Sequence, residues 1–285
     1  MTQTLESILR EPDILILPGA HDALSARIAV RAGARAVYMT GFGVAGSAFG
    51  VPDIGLITAD QMTERVRAIA QALVPIPLVA DGDNGHGGPF NVARLTRAYE
   101  QAGAQCIQLE DQVSPKRCGH MEGKEVIPLA DAAAKIRAAV DARSSANFKI
   151  MARTDARATH DLDEALRRGE VFLKAGADIL FIEAPLSEDE LKRVAKTFSG
   201  MPLVANLVED GKTPMLTPGA LSQMGYKIAL YPISAILSAA AALEKVYADL
   251  LGGTAEQRAR VTFSQYNEIV GLPDFLATAK RYETR

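Results

Sequence analysis

The segment Pro77-Leu78-Val79-Ala80-Asp81-Gly82-Asp83-Asn84-Gly85 contains the pattern on which the fold prediction rests. Its first four residues form an apolar run without polar alternation, which is typical of a strand buried on both faces. Acidic residues and glycines follow at once, and apolar residues then recur at helical spacing over 92–102. The segment therefore predicts a buried strand with polar side chains at its carboxyl end, followed by a helix.

The same unit recurs along the chain, with helical patterns such as 59–73 and 129–142 between the apolar runs. Strands are predicted at 14–17, where Pro18-Gly19 is expected to end the strand, and at 36–39, 77–80, 106–109, 149–152, 179–182, 203–205 and 228–230. Eight strands that alternate with helices require parallel pairing and predict an α/β fold, the (β/α)8 TIM barrel. A doubly wound open sheet is the alternative, but no GxGxxG fingerprint follows the first strand.

The composition fits one domain of barrel size. The chain has 285 residues with 48% hydrophobic content, and no low-complexity run divides it. We expect a single barrel domain over 1–285, in which 253–285 form a C-terminal helical extension with a helix over 255–270 and a shorter one ending at Tyr282. Because extra terminal helices on a barrel often pack against a neighbouring subunit, we also expect a homo-oligomer.

Charge and hydropathy argue against two classes of partner. The net charge is −3 and the charged residues of both signs are interspersed, so no basic stripe is present to bind nucleic acid. No apolar run reaches the roughly 20 residues that cross a membrane. The two cysteines lie in a predicted strand and in a polar loop and do not suggest a disulfide framework. We therefore expect a cytoplasmic protein.

The polar loop contains Lys116-Arg117-Cys118-Gly119-His120. Cations beside a thiol favour the thiolate, which makes Cys118 a candidate acid–base group. Gly119 and Gly123 permit backbone conformations that are closed to other residues, so the segment is predicted to be a mobile loop that closes over a substrate. The alternative is a basic surface turn with an incidental cysteine.

Polar side chains follow most of the predicted strands, at the end where a TIM barrel places its catalytic groups. They are Tyr38, Thr40, Asp81, Asp83, Glu110, Arg153, Asp155, Glu183, Asn206 and Glu209. Crowded carboxylates repel one another unless a cation neutralises them, and oxygen ligands with few histidines favour Mg²⁺, or Mn²⁺, over Zn²⁺. Asp81 and Asp83 are the best candidates for metal ligands, although an Asx-turn would use the same residues.

Arg153 and two glycines are candidates for binding a substrate anion. The planar guanidinium of Arg153 could bind a carboxylate at two points, or it could form an ion pair with Asp155 or Glu183 at the barrel rim. Gly41 and Gly43 could donate backbone N–H groups to the same anion, or they could form a plain turn.

Four motifs in this order resemble those of the isocitrate lyase / phosphoenolpyruvate mutase superfamily. They are Asp81-Gly82-Asp83, Glu110-Asp111-Gln112, Lys116-Arg117-Cys118-Gly119-His120 and Met151-Ala152-Arg153-Thr154-Asp155, and the likeness runs from about Pro18 to Tyr247. The resemblance implies a (β/α)8 barrel and a homotetramer whose C-terminal helices are exchanged between paired subunits. It also implies bound magnesium and an α-oxycarboxylate substrate that reacts through an enolate.

The resemblance also assigns roles to individual residues. Asp83 is implied to be the direct metal ligand, with the metal's waters held by Asp53, Asp81 and Glu110. Substrate contacts are implied for Tyr38, Thr40, Gly41, Gly43, Arg153, Gly119, His120, Glu183, Asn206 and Glu209. Cys118 resembles the acid that protonates the departing enolate in the family's carbon–carbon lyases. The base is not identified, and Tyr38 and Glu183 are both candidates.

Cys118 favours a carbon–carbon lyase over enzymes that act on P–C bonds, although carboxyphosphonoenolpyruvate mutase has a similar loop. Met121-Glu122-Gly123-Lys124 and Leu237 stand where 2-methylisocitrate lyases tend to have more polar or cationic residues. A third substrate carboxylate would therefore lack partners, and 232–237 would form an apolar wall. A branched malate-like diacid, as in 2,3-dimethylmalate lyase, fits this pocket better than a tricarboxylate.

We therefore expect Mg²⁺-dependent retro-aldol cleavage of a 2-hydroxy di- or tricarboxylate to an α-keto acid such as pyruvate and a second acid. Three alternatives remain open. They are an oxaloacetate-type hydrolase or decarboxylase, a phosphonate mutase, and a non-catalytic barrel that binds a metabolite.

Overall fold

The computed structural model describes residues 3–117, 123–253 and 260–282. Eight parallel strands form a closed barrel in the order β1 to β8, which confirms the predicted (β/α)8 fold. The strands are β1 (Leu15–Ala20), β2 (Val37–Met39), β3 (Leu78–Asp81), β4 (Cys106–Glu110), β5 (Lys149–Thr154), β6 (Ile179–Ile182), β7 (Leu203–Asn206) and β8 (Ile228–Tyr231).

Helices precede, separate and follow the strands. They are α1 (Leu5–Arg10), α2 (Ala23–Arg31), α3 (Gly41–Phe49), α4 (Ala59–Leu73), α5 (Pro89–Ala102), α6 (Leu129–Ala142), α7 (Ala156–Thr159), α8 (Leu162–Lys174), α9 (Glu188–Thr197), α10 (Pro218–Met224), α11 (Ser234–Leu251), α12 (Phe263–Ile269) and α13 (Leu272–Ala279). Among the described residues, no helix combines the length and hydropathy needed to cross a membrane.

The first strand differs from its prediction because β1 continues through Pro18-Gly19 to Ala20. Pro18 pairs with Tyr231 of β8, and Gly19 pairs with Tyr38 of β2. A Cβ atom on Gly19 would lie only 2.1 Å from the carbonyl oxygen of Pro232. The glycine therefore permits close approach of a neighbouring backbone, and it does not mark a turn.

Two apolar cores follow from the alternation of side chains along the strands. Residues such as Val79, Cys106 and Met151 face the barrel axis, where Leu5 and Ile8 of α1 join them. The strand residues that alternate with these point outward and pack against the surrounding helices. Cys106 thus belongs to the core, as predicted, and burial raises the pKa of its thiol.

The C-terminal region differs from its prediction in where a helix begins. The sequence pattern predicted a helix from residue 255, whereas α12 begins at Phe263, where Thr262 and Gln265 form a capping box. Residues 254–259 lie outside the described residues. Large apolar side chains on α12 and α13 are exposed, including Phe263 (83%) and Phe275 (69%). Exchange of these helices between subunits stays a prediction.

Replacing Gly19 with alanine should destabilise the barrel, because the added Cβ would overlap the backbone of Pro232. Overpacking of this kind costs about 1–3 kcal/mol. Gly46 in α3 is the matched control, because a Cβ there meets nothing within 4 Å. Gly46→Ala should instead stabilise the helix by about 0.5–1 kcal/mol. Urea denaturation of both variants measures the difference, and equal stabilities would contradict the close-approach argument.

Candidate active site

The alternation of side chains also explains why polar groups converge on the barrel axis. A residue two positions after an inward-facing core residue faces inward as well. Along β4, Cys106 is therefore followed by Gln108 and then by Glu110 on the same side. The same rule gives Asp81 after Val79, Arg153 after Met151, Glu183 after Phe181 and Asn206 after Val204. These five strands thus direct polar side chains toward the axis at one end of the barrel.

A cavity of about 230 Å³ lies at this end. The predicted site residues that line it are Tyr38, Thr40, Asp53, Asp81, Glu110, Arg153, Asn206 and Glu209. Asp83 lines a neighbouring cavity instead. Cys118, Gly119 and His120 lie outside the described residues, but Arg117, which precedes Cys118 in the chain, lines the first cavity. The structure therefore places most of the predicted site residues around one cavity.

Asp81 is held by three hydrogen bonds. Its Oδ1 accepts from the backbone N–H of Asp83 at 3.0 Å and from Nε2 of Gln108 at 3.1 Å, and its Oδ2 accepts from the N–H of Gly41 at 3.2 Å. The bond to Asp83 is the Asx-turn that the sequence left open. Burial, and then the charge of Asp83, raise the pKa of Asp81 to about 6.

The glycines after β2 have protein partners for their N–H groups. Gly41 donates to Asp81, and its missing Cβ makes room for that carboxylate, since a Cβ would lie 2.8 Å from Oδ2. Gly43 donates to the hydroxyl of Thr40 at 3.3 Å, which caps α3. The predicted contacts of Gly41 and Gly43 with a substrate anion stay predictions.

Arg153 forms the ion pair that was the alternative to substrate binding. Its Nε and Nη2 donate to the two carboxylate oxygens of Asp155, each at 3.0 Å, and Nη2 lies 3.4 Å from Glu183. Nε also lies 3.5 Å from Glu110, and the guanidinium stands 5.1 Å from the ring centroid of Phe181. Arg153 nevertheless lines the cavity, so these partners position a cation beside the substrate space.

The two candidate bases are engaged with other groups. The hydroxyl of Tyr38 donates to Oε1 of Gln108 at 2.6 Å, and burial, reinforced by Asp81, raises its pKa well above the usual value. Glu183 is fully buried and accepts hydrogen bonds from Nδ2 of Asn206 at 3.3 and 3.2 Å. This geometry suits Glu183 for orienting Asn206 and Arg153, and the identity of the base stays open.

Lys116 has a position that the sequence analysis missed, because the residue was considered only as a cation beside Cys118. Its ammonium group contacts Asp53 and lies 2.7 Å from Oδ1 of Asp83. Burial alone would lower the pKa of Lys116, but Asp83 and Asp53, followed by Glu110 and Asp81, raise it well above the usual value. A single ammonium therefore lies among all four predicted metal carboxylates.

Asp155 is the centre of a second buried network. It accepts from Arg153 and from Nζ of Lys124 at 2.7 Å, and its N–H donates to Asp111 at 2.9 Å. Asp111 in turn accepts from Nη1 of Arg168 at 2.9 Å. Burial would raise the pKa of Asp155, but Arg153 and Lys124 lower it to about 2. Sequence reasoning missed Lys124, Asp111 and Arg168 as parts of this network.

Gln108 is the missed residue with the clearest sequence signal. It is a polar residue inside the apolar run 106–109, and it is fully buried. A buried amide needs hydrogen-bond partners, so its position on the inward face of a strand predicts a contact within the site. It binds both Tyr38 and Asp81.

The donor set fits a magnesium ion. Among residues 3–117, 123–253 and 260–282, no group of three or more His, Cys, Asp or Glu side chains is arranged to hold a metal. Magnesium, however, usually takes one or two carboxylates and keeps several waters. Oε1 of buried Glu110 has no hydrogen-bond partner in the described part of the chain, and the surrounding carboxylates already accommodate one cation. The assignment of Asp83, Asp81, Asp53 and Glu110 to a metal stays a prediction.

The family model for phosphoenolpyruvate phosphomutase matches residues 5–251. The chain belongs to this family. Within the phosphoenolpyruvate phosphomutase family, the 2,3-dimethylmalate lyase of Eubacterium barkeri is 44% identical over 98% of this chain and 97% of its own. The 2-methylisocitrate lyase of Bacillus subtilis is 40% identical over 84% of this chain and 78% of its own. The relatives confirm the predicted superfamily and its carbon–carbon lyase branch.

Solved structures of this family show the same fold with other activities. Oxaloacetate acetylhydrolase in complex with 3,3-difluorooxalacetate has a TM-score of 0.95 and 31% identity, over 100% of this chain and 97% of that one. Phosphonopyruvate hydrolase in complex with oxalate and Mg²⁺ has a TM-score of 0.87 and 31% identity, over 98% of both chains. The barrel alone therefore does not select the reaction.

Replacing Asp155 with asparagine should leave two buried cations without their shared partner and cost about 3–5 kcal/mol. Because the pKa of Asp155 is lowered from 3.8 to about 2, its contribution is present above pH 3.8 and is lost as the pH falls toward 2. Urea denaturation at several pH values should show the variant and the wild type converging below about pH 4.

The control is Asp60→Asn, which breaks an exposed 2.9 Å pair with Arg94 and should cost no more than about 1 kcal/mol. A loss for Asp155→Asn as small as that of the control would contradict the role of Asp155 as a buried centre.

Proposed function

We propose that the protein cleaves a branched, malate-like 2-hydroxy diacid between C2 and C3 in a Mg²⁺-dependent retro-aldol reaction. The products are an α-keto acid such as pyruvate and a second carboxylic acid. The observation that carries this proposal is the mixed lining of one small cavity. Besides carboxylates, among them Asp53, Asp81 and Glu110 of the proposed metal site, it contains three cations, Lys116, Arg117 and Arg153, together with the apolar side chains Phe42, Phe181, Val208, Leu230 and Ile233. Cations suit the substrate carboxylates, and apolar side chains suit its alkyl branches.

The size of the cavity supports a small acid. Its volume of about 230 Å³ lies below the roughly 300–1,000 Å³ of pockets for drug-sized ligands. Of the predicted apolar wall over 232–237, Pro232 and Ile233 line the cavity, whereas Leu237 is 43% exposed and outside the lining. The wall is therefore shorter than expected, but it still places no charge beside a substrate alkyl group. The name of the 2,3-dimethylmalate lyase relative agrees with this substrate class.

Asp83 is the proposed direct ligand of Mg²⁺, and Asp53, Asp81 and Glu110 are proposed to hold the metal's waters. When bound, the metal supplies Lewis acidity that stabilises negative charge on the substrate oxygens. The phosphonopyruvate hydrolase structure with oxalate and Mg²⁺ supports this choice of ion.

Arg153 is proposed to bind the carboxylate next to the reacting hydroxyl. Its bidentate pair with Asp155 holds the guanidinium in place before the substrate enters, so little reorganisation is needed during the reaction. Asn206 is oriented by Glu183, while its Oδ1 has no hydrogen-bond partner among the described residues. This oxygen is available to accept a hydrogen bond from a substrate hydroxyl.

Cleavage of the C2–C3 bond requires two proton transfers. A base removes the C2 hydroxyl proton, the C2–C3 bond breaks, and its electron pair remains on C3. The Cys118 thiol gives its proton to C3, and the proton held by the base later returns to the thiolate through solvent. Lys116 and Arg117, which precede Cys118 in the sequence, stabilise the thiolate that remains after Cys118 has given its proton to C3.

The first test is keto-acid release from 2-methylisocitrate, 2,3-dimethylmalate and 2-methylmalate, and consumption of oxaloacetate, each with and without Mg²⁺. Cys118→Ser should lower turnover of the hydroxy-acid substrate by roughly 100- to 10,000-fold, because the acid is lost. Cys106→Ala is the matched control, since the other cysteine is buried in the barrel core, and it should keep most of the activity. Undiminished turnover in Cys118→Ser would contradict the role of the thiol.

The same panel tests the main alternative. Oxaloacetate acetylhydrolase matches the whole of this chain at 31% sequence identity, so hydrolysis of an oxaloacetate-type keto acid is the second candidate function. Consumption of oxaloacetate, together with no reaction of any hydroxy acid, would replace the lyase proposal with this hydrolase.

The proposed assembly is a homotetramer of 30.4 kDa chains in which C-terminal helices cover a neighbouring subunit. Two exposed apolar regions support it. One is formed by α11, α12 and α13, where Phe263 is 83% exposed. The other is a groove of about 360 Å³ beside β1, where Ile16 is 52% exposed. Exposed apolar patches of this kind mark interaction surfaces.

Light scattering after gel filtration should give four chains per particle. A double variant, Phe263→Ser with Phe275→Ser, should shift the mass toward smaller species, because both side chains are exposed on the C-terminal helices. Val74→Ser, at an apolar residue that is 78% exposed and lies outside the C-terminal helices, should leave the mass unchanged. A monomeric wild type would contradict the proposed assembly.

A further inference from the structure

The ammonium group of Lys116 stands where the proposed metal site has its carboxylates. It contacts Asp53, and it lies 2.7 Å from Oδ1 of Asp83, the proposed direct ligand. The side chains of Lys116, Asp53 and Asp83 are 5%, 10% and 6% exposed, so solvent screens these charges little. The lysine therefore already neutralises part of the buried negative charge.

Lys116 also lies at the boundary between two cavities, because it lines both of them. Asp53, Asp81 and Glu110 line the substrate cavity together with Lys116. Asp83 lines a second cavity of about 380 Å³, and Lys116 lines that one too. An ion that contacts both Asp83 and a substrate in the first cavity would have to take the position of the ammonium.

The two cations cannot share this position. A magnesium ion binds carboxylate oxygens at about 2.0–2.1 Å, and the ammonium already lies 2.7 Å from the same oxygen of Asp83. Two positive charges this close in a buried site would repel each other strongly. Binding of one cation therefore requires the departure of the other.

We propose that Lys116 is a place-holder cation for the metal site, which Mg²⁺ must displace in order to bind. The proposal rests on the metal site of the proposed function. In protein stripped of metal, the ammonium keeps the carboxylates of Asp53 and Asp83 from repelling each other. When the metal enters, the lysine side chain leaves this position and the apparent metal affinity is reduced by the competition.

The main chain next to Lys116 is arranged so that the side chain can move alone. Gln112 accepts a hydrogen bond from the N–H of Arg117 and donates one to its carbonyl oxygen, both at 2.9 Å. These bonds hold the backbone that leads to Cys118. The flexible lysine stem can therefore swing away while the backbone at Arg117 stays bound.

The test measures Mn²⁺ binding by electron paramagnetic resonance for the wild type, Lys116→Met and Lys124→Met. Methionine keeps the apolar stem but removes the charge. If the ammonium occupies the site for at least nine-tenths of the time, Lys116→Met should bind Mn²⁺ about tenfold more tightly or better, because apparent affinity scales with the competent fraction. Lys124→Met removes the same charge from the other side of the Cys118 segment, where Lys124 pairs with Asp155, and should change the affinity by less than about twofold.

Thermal melts in chelator and in Mg²⁺ give a second readout. Lys116→Met should melt below the wild type in chelator, since two buried carboxylates lose their cation, and should gain more from Mg²⁺ than the wild type does. Lys116→Gln, which can still donate a hydrogen bond, serves as the milder variant if methionine prevents folding.

The outcomes separate this inference from the proposed function. Equal or weaker Mn²⁺ binding in Lys116→Met, with clear binding in the wild type, would overturn the place-holder role and leave the metal site standing. Tighter binding in Lys116→Met than in both other proteins would support it. Absence of Mn²⁺ binding in all three proteins would overturn the metal site and this inference together.

Discussion

The structure depends on balancing carboxylates that are buried together at the open end of the barrel. Removing an ionised carboxylate from water is costly unless a cation and hydrogen bonds replace the lost hydration. In this site the balance of negative and positive charge differs between the surroundings of Asp155 and those of Asp81. Asp155 has Arg153 and Lys124 as close partners, and its pKa falls to about 2. Asp81 lies where carboxylates outnumber cations, and burial, followed by the charge of Asp83, raises its pKa to about 6. The side with excess negative charge is the side on which a divalent cation would be stabilised most.

Described residues before and after Cys118 in the chain contact both sides of this charge distribution. Lys116 precedes the cysteine and binds the carboxylates of Asp53 and Asp83, and Lys124 follows it and binds Asp155. At the base of the loop, Gln112 and Val126 form an antiparallel bridge. Because the two lysines are buried, their ion pairs, as well as the backbone bridge, hold the chain on either side of Cys118 to the site. A change of charge in the site therefore acts directly on Lys116 and Lys124, which lie on either side of the proposed acid in the sequence.

The family shows how little of the chemistry is specified by the barrel itself. Chains named as lyases, an acetylhydrolase and a phosphonopyruvate hydrolase all resemble this protein over nearly their whole length. What differs between such enzymes must lie in the side chains around the cavity and in the loops at that end of the barrel. In this protein the apolar part of the lining, with Pro232 and Ile233 after β8, favours a substrate with alkyl branches.

The sequence by itself determined the alternation of strands and helices, the barrel, and the inward position of residues such as Asp81, Glu110 and Arg153. These features follow from local periodicity, which a strand or helix expresses wherever it lies. Tertiary structure alone decided that Pro18-Gly19 continue a strand, because the reason is the approach of Pro232. It also decided the partners of Lys116 and Lys124, which are 63 and 31 residues away in the chain. Ion pairs of this kind form only after barrel closure brings distant strand ends together, and no local pattern encodes that distance.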